Sequence, residues 1–280
     1  MMHIDGKTKL FAIIGNPVSH SFSPAMHNAV FRAAGVNGVY VPILSKNIGE
    51  TMRGLRALGF QGASVTVPHK EAVMEWVDVL DPVARRIGAV NTLVFEQAPG
   101  DDKSICIGLN TDCAGSNKAL AEQIELSGIR ALVLGAGGAA KAVAFGLAAA
   151  GAGEITIANR TLEKAEALAQ VLDCRALSLA EAGAVQADIL INTTSIGMAP
   201  RHDLSPVDAS LLPRFQVVMD IVYAPLETRL LKEAKAGGCI TIDGLTMLQY
   251  QGAEQLKLWT GIEPPASIMR NALLQALERL

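Results

Sequence analysis

Arg130-Ala131-Leu132-Val133-Leu134-Gly135-Ala136-Gly137-Gly138-Ala139-Ala140 lies near the middle of a 280-residue chain, and its reading decides the fold. A short apolar run enters a glycine-rich turn, and an alanine-rich stretch of helical character leaves it. In the pattern G-x-G-x-x-A, Gly135 permits the tight strand-to-helix turn and Gly137 lets backbone N–H groups approach a pyrophosphate. Ala140 lets the helix pack against the strand, and Ala136, Gly138 and Ala139 complete the loop. An anion here would rest on N–H groups without intrahelical partners, at the positive end of the helix dipole. Tight turns also collect glycines for steric reasons alone. The strand before, the helix after and a second strand, Glu154-Ile155-Thr156-Ile157-Ala158, favour dinucleotide binding.

Strand-like and helix-like segments alternate on both sides of this loop. Ahead of it, strands are expected at Lys9–Ile14, Val39–Ile43, Gly62–Val67, Ala89–Val94 and Ile105–Leu109, with helices at Pro24–Ala34, Ile48–Leu58 and Cys113–Leu126. Gln97 to Lys103 reads as a hairpin tip. Behind it, strands are expected at Ile155–Ala158, Ile189–Ile191, Val217–Ile221 and Ile240–Ile242, and helices at Met247–Leu258 and Ser267–Leu280. Such alternation predicts an α/β protein with parallel sheets and ligands at the carboxyl ends of strands. The expected organisation is an N-terminal α/β substrate domain, residues 1–112 with 248–280, and a Rossmann-type dinucleotide-binding domain, residues 113–247. The C-terminal helices would return to the first domain.

Half of the residues are hydrophobic, which is ample for two cores, and Lys+Arg 24 against Asp+Glu 27 leaves a net charge of −3. That balance gives no reason to expect nucleic acid or an acidic membrane surface as partner, and leaves small neutral or anionic metabolites. No apolar run reaches the roughly 18 residues a bilayer span needs, and the first residues do not resemble a signal peptide, so a cytoplasmic protein is expected. Cys106, Cys113, Cys174 and Cys239 are irregularly spaced without clustered histidines; they read as reduced, mostly buried thiols, and no metal site is expected.

At the end of the second strand of a dinucleotide-binding sheet, an acidic side chain usually holds the ribose 2′-hydroxyl. Asn159-Arg160-Thr161 stands there instead. Arg160 offers a planar fork of donors, Thr161 a hydroxyl, and Lys164 follows one helical turn later, which favours NADP(H) over NAD. The competing reading has Thr161 capping the next helix and both cations merely solvated.

A polar constellation precedes the loop. Lys70, after Pro68-His69, is expected as a partly desolvated ammonium, and Asp112 near an interdomain hinge; together they could move a hydroxyl proton while hydride is transferred. Each alone is more simply a solvated lysine or a helix cap. Ser21 and Ser23 flank Phe22 and suit a carboxylate ligand, although Ser23 is equally a good N-cap. Thr66 and Asn91 add neutral donors. His20, His27 and His69 lack an orienting carboxylate and are not expected to act as bases.

In these segments the sequence closely resembles the shikimate dehydrogenase family. The matching pieces are Gly15 to Pro24, Val65 to Lys70, Gly88 to Thr92, Asn110 to Asp112, Gly135 to Ala139, Asn159 to Thr161, and Asp243-Gly244-Leu245 with Met247, Leu248 and Gln251. The resemblance implies reversible, NADP-dependent reduction of 3-dehydroshikimate to shikimate on the route to aromatic amino acids. It implies that Ser21 and Ser23 bind the substrate carboxylate, that Thr66, Asn91 and Gln251 hold ring hydroxyls, and that Lys70 and Asp112 are the catalytic pair. Tyr223 would reach the substrate from the cofactor domain, and Ile221 and Gly244 would line the nicotinamide. Ser64 stands where the family commonly has Asn, and His69 is one of several residues found before its lysine. Two alternatives remain: a quinate/shikimate dehydrogenase with broader substrate or NAD use, and a non-catalytic NADPH-binding regulator. Retention of Lys70 and Asp112 argues against the latter. Self-association as a homodimer is left open.

Overall fold

The computed structural model describes residues 4–97 and 104–279. In chain order the elements are β1 (Lys9–Gly15), α1 (Ser23–Ala33), β2 (Gly38–Leu44), α2 (Ile48–Ala57), β3 (Gly62–Val65), β4 (Val79–Leu80), α3 (Pro82–Ile87), β5 (Thr92–Gln97) and β6 (Ser104–Leu109). Then come α4 (Asp112–Ala121), β7 (Arg130–Leu134), α5 (Gly138–Ala149), β8 (Glu154–Asn159), α6 (Leu162–Leu172), β9 (Arg175–Ser178) and β10 (Ile189–Asn192). The chain closes with β11 (Val217–Asp220), α7 (Arg229–Ala236), β12 (Ile240–Ile242), α8 (Gly244–Thr260) and α9 (Ala266–Leu277). Two compact units result: Met1–Thr111 with Gln251–Leu280, and Asp112–Tyr250.

In the first unit the sheet order is β2-β1-β3-β5-β6-β4. β1 lies between β2 and β3, parallel to both, and Phe11 to Ile14 are almost fully buried. That burial on both faces explains why this strand reads as a continuous apolar run and not an alternating one. Because the connections from β1 run to β2 on one side and, through α2, to β3 on the other, the carboxyl ends of β1 and β3 form a topological switch point, the usual ligand position of such sheets. The sheet is mixed: β1, β2 and β3 run parallel, as the strand and helix alternation implies, and the expected hairpin adds antiparallel strands. β5 and β6 form an antiparallel hairpin, and β5 joins β3 antiparallel. Most of the expected hairpin tip, residues 98–103, lies outside the described residues.

The second unit is a wholly parallel sheet of order β12-β11-β10-β7-β8-β9. Counted from β7, this is the 3-2-1-4-5-6 order of the doubly wound dinucleotide fold, with its switch point between β7 and β10. One face is covered by residues of α5 and α6, among them Val143, Leu147 and Leu168; the other by Leu212, Leu230 and Leu231.

Several boundaries differ from the sequence expectations. α4 stops at Ala121, not Leu126, because the N–H groups of Gln123 and Ile124 both turn back to the Leu120 carbonyl. α8 starts at Gly244, three residues early, because the Asp243 carboxylate accepts from Thr246 N at 2.9 Å and Thr246 Oγ1 at 3.0 Å and so caps the helix. β3 ends at Val65, before Thr66. α9 ends at Leu277; Leu280 lies outside the described residues.

Candidate active site

In the second unit the turn after β7 is built for close approach by a ligand. Gly135 has φ of +113°, which disfavours any other L residue, and its N–H reaches the Ala158 carbonyl at 2.7 Å. A Cβ there would also sit 2.5 Å from Thr193 Oγ1 on the neighbouring loop. Gly137 occupies the N-cap of α5 without a side-chain cap, and a Cβ added to it would meet nothing within 4 Å. The helix thus opens with no side chain of its own satisfying the first N–H groups, no acidic residue in its first turn, and open space in front. That combination fits a pyrophosphate. Ala140 is fully buried in the core that includes Ala131 and Val133, the packing role its place in the pattern implies.

At the end of β8, Asn159 is half-buried while Arg160, Thr161 and Lys164 are exposed. Thr161 stands at the N-cap of α6, yet its side chain makes no capping hydrogen bond; Asn159 Nδ2 instead donates to the Thr161 carbonyl at 2.8 Å. The capping explanation for Thr161 therefore has no support. No carboxylate stands at positions 159–161 to repel a 2′-phosphate.

In the first unit the loops after β1 and β3 are tied together. Thr66 N donates to the Ile14 carbonyl at 2.9 Å, Asn16 N to the Val67 carbonyl at 3.0 Å, and a Cβ on Gly15 would collide with the Thr66 methyl. These loops carry Ser21, Thr66 and Lys70 at the switch point, and Ser23 follows the first of them, on α1. Ser23 is the first residue of α1, not its N-cap; Phe22 holds that place without a side-chain cap. Ser21 Oγ accepts from Ser23 N at 3.3 Å. Lys70 is half-buried, and its carbonyl receives Val90 N at 2.8 Å, which anchors the turn.

Asn91 is the hub of a buried amide and hydroxyl network. Its Oδ1 accepts from Thr111 N at 2.8 Å and from Thr92 Oγ1 at 2.7 Å. Its Nδ2 donates to Thr111 Oγ1 at 3.0 Å and to Gln251 Oε1 at 3.3 Å. Behind it, Gln255 Nε2 donates to Thr92 Oγ1 at 3.0 Å, Ser64 Oγ donates to Gln255 Oε1 at 2.8 Å, and Tyr40 OH donates to Ser64 Oγ at 2.6 Å. Burial pushes the Tyr40 phenol well above its usual range, opposed by the Ser64 and Ser23 hydroxyls beside it. The network gives each amide one orientation and presents neutral donors and acceptors suited to a polyol.

Three family descriptions match the chain: the shikimate dehydrogenase substrate binding domain over residues 13–93, shikimate/quinate 5-dehydrogenase over 118–217, and the shikimate 5′-dehydrogenase C-terminal domain over 244–274. The shikimate dehydrogenase (NADP(+)) of Methanothermobacter thermautotrophicus is 45% identical, covering 99% of both chains. The chain belongs to the shikimate dehydrogenase family. The corresponding protein of Moorella thermoacetica is 46% identical over 99% of this chain and 96% of its own. Among solved structures, the Thermus thermophilus shikimate 5-dehydrogenase in complex with NADP(H) and shikimate is 42% identical with a TM-score of 0.87, covering 96% of this chain and 100% of that one.

Against the family pattern, the first unit brings Asn91 and Gln251 into hydrogen-bond contact and sets Ser21 beside Ser23. Asp112 belongs to the second unit, where it is buried in the first turn of α4, a favourable end of that helix for an acid. Ile221 and Tyr223 are half-buried in the loop after β11, and burial raises the Tyr223 phenol above its usual range. Gly244 opens α8 where a Cβ would overlap the carbonyl oxygens of Ile221 and Val222, so its lack of a side chain has a packing reason. His27 is fully buried, with burial bringing its pKa down to about 3, and His69 Nε2 pairs with the Ser45 carbonyl at 2.8 Å. Burial raises all four thiols, Cys106 to about 12 and Cys174 to about 11, so none is a ready nucleophile. No cluster of three His, Cys, Asp or Glu able to hold a metal occurs among the described residues, and none of their helices is long and apolar enough to cross a membrane.

Sequence reasoning passed over Thr111, Gln255, Asn192 and Asp220, all buried and all hydrogen-bonded to candidate residues or to their loops. Thr111 had a signal in standing between Asn110 and Asp112. The other three look like ordinary strand ends and helix residues.

Proposed function

We propose that the chain is an NADP-dependent shikimate dehydrogenase that reversibly reduces 3-dehydroshikimate to shikimate. The observation that carries the reading is near full-length kinship with relatives named as NADP(+)-dependent shikimate dehydrogenases. The motif pieces that carry Lys70, Asp112, Asn91 and Gln251 are all present in the sequence. In this reading the first unit binds substrate and the second binds NADP, with Gly135 to Ala139 cradling the pyrophosphate and Arg160, Thr161 and Lys164 receiving the 2′-phosphate. The free thiols fit a protein of the reducing cytoplasm.

NADPH, when bound, supplies the hydride for the ketone carbon. Everything else falls to the chain. Ser21 and Ser23 hydroxyls donate to the substrate carboxylate, which fixes the ring in the plane. Thr66, Asn91 and Gln251 pair with its hydroxyls, and their fixed amide orientations reject substrates that leave a buried donor unmatched. Lys70 Nζ gives its proton to the ketone oxygen as negative charge develops there, with Asp112 assisting; in the reverse direction the same pair removes the hydroxyl proton. Tyr223, Ile221 and Gly244 shape the reacting end.

Lys70→Ala tests this assignment in NADPH oxidation driven by 3-dehydroshikimate. The expected result is a kcat lower by roughly 10²-fold with a smaller change in KM. An unchanged kcat removes Lys70 from the chemistry.

A further inference from the structure

Asp220 ends β11 with no exposed surface, one residue before the loop that carries Ile221 and Tyr223. Its carboxylate accepts three hydrogen bonds from three separate segments. Oδ1 receives Asn192 Nδ2 from the end of β10 at 2.9 Å and Val222 N from the loop itself at 3.0 Å. Oδ2 receives Thr228 Oγ1, at the N-cap of α7, at 2.7 Å; the same Thr228 oxygen accepts from Leu231 N at 3.3 Å, so its proton is committed to Asp220. Asn192 extends the connection: its carbonyl takes Ile221 N at 3.0 Å, and its Oδ1 takes Thr194 Oγ1 at 2.7 Å. The adjoining Thr193 donates through Oγ1 to the Leu134 carbonyl at 2.6 Å, beside Gly135.

A charged carboxylate in this place needs a reason, because removing it from water is costly unless it is fully paired. An apolar residue would end a buried strand at less cost. What only an acceptor with two oxygens can do here is hold the Val222 N–H, the α7 N-terminus and the β10 end at once. These segments border the loop proposed to carry the nicotinamide and substrate contacts. They also border the dinucleotide turn, at the switch point of the sheet.

We infer that Asp220 is a positioning residue for the reacting end of the cofactor site: it holds the Ile221–Tyr223 loop in register with the β10 loop, acting through Val222 N, Asn192 and Thr228 without touching substrate. The inference rests on the proposed dehydrogenase function and adds to it a residue, two before Val222 and three before Tyr223, to which the resemblance assigns no role. Burial pushes the Asp220 carboxyl up to about 6, against the opposing pull of Thr228, Val222 N and Asn192. The clamp is therefore strongest where the carboxylate is ionised and all three donors have an acceptor.

Asp220→Asn keeps the shape but turns an NH2 group towards at least one donor. The test is kcat with 3-dehydroshikimate and NADPH, measured beside the Kd for adenosine 2′,5′-bisphosphate, the phosphate-bearing half of NADP. Expected is a kcat roughly 10-fold lower with the bisphosphate Kd within twofold, since a small misplacement of reacting groups is enough to slow transfer. Unchanged kcat, or equal loss of both readouts, overturns the inference. Should the variant fail to fold, Thr228→Val removes a single donor, and the same split at smaller size is expected; no split overturns the inference. If the unmodified protein shows no turnover, the dehydrogenase reading itself fails, which is a different result from a wild-type rate that Asp220→Asn leaves untouched.

Discussion

His27→Phe should change how stability depends on pH while leaving the fold intact. His27 is wholly buried on α1, stacked on Tyr40 with ring centroids 4.4 Å apart, and neither ring nitrogen has a hydrogen-bond partner. Burial lowers its pKa from 6.5 to about 3. The folded protein thus keeps the ring neutral where the unfolded chain would protonate it. Below pH 6.5 the unfolded state binds the extra proton, so stability falls as pH falls and the loss is complete only near the folded pKa. At about pH 4.5, two units below the unfolded pKa, this group alone costs about 2.7 kcal/mol relative to neutral pH. For a chain of this size that amounts to about 5–10 °C in Tm. Phe retains the flat ring against Tyr40 and has nothing to protonate. Carboxylates held low by their partners, such as Asp188 beside Arg130, weaken both proteins equally in acid and drop out of the difference. Thermal unfolding followed by circular dichroism from about pH 7.5 to 4.5 should show the variant losing less Tm than the parent by that margin. Parallel curves would refute the reasoning.

Arg160→Ala should raise KM for NADP by roughly 10-fold or more and leave KM for NAD nearly unchanged, since it removes a charge-assisted contact that only the 2′-phosphate can make; steady-state kinetics with both cofactors reads this, and equal effects would return Arg160 to a solvated surface role. Gly244→Ala should lower kcat by on the order of 10- to 10²-fold, because the new methyl meets the Ile221 and Val222 carbonyls and must push the loop aside. Wild-type kcat in that variant would show that this loop does not set the reacting geometry.

The parts of the fold legible in the sequence are those with strong periodicity. β1 and β7 are apolar runs because they are central strands buried on both faces, and Gly135 with Ala140 marks its turn by steric necessity. β4, with two residues, and β9, with four, carry too little pattern to be seen, and the pairing of β5 antiparallel to β3 depends on long-range contacts that no local motif encodes. The site divides the same way. Lys70, Asp112 and the serines sit in compact motifs near strand ends, whereas Gln255 and Asp220 matter through hydrogen bonds to other elements, a relation invisible until the elements are packed. Thr161 shows the reverse case: its position before a helix offered a cap as the competing reading, and the side chain does not make one.

Initial rates with shikimate and with quinate, each with NADP and with NAD, test the central claim most directly. The account predicts that the shikimate and NADP pair gives the highest kcat/KM by a wide margin. A preference for quinate with NAD, or no turnover with any pair, would contradict it.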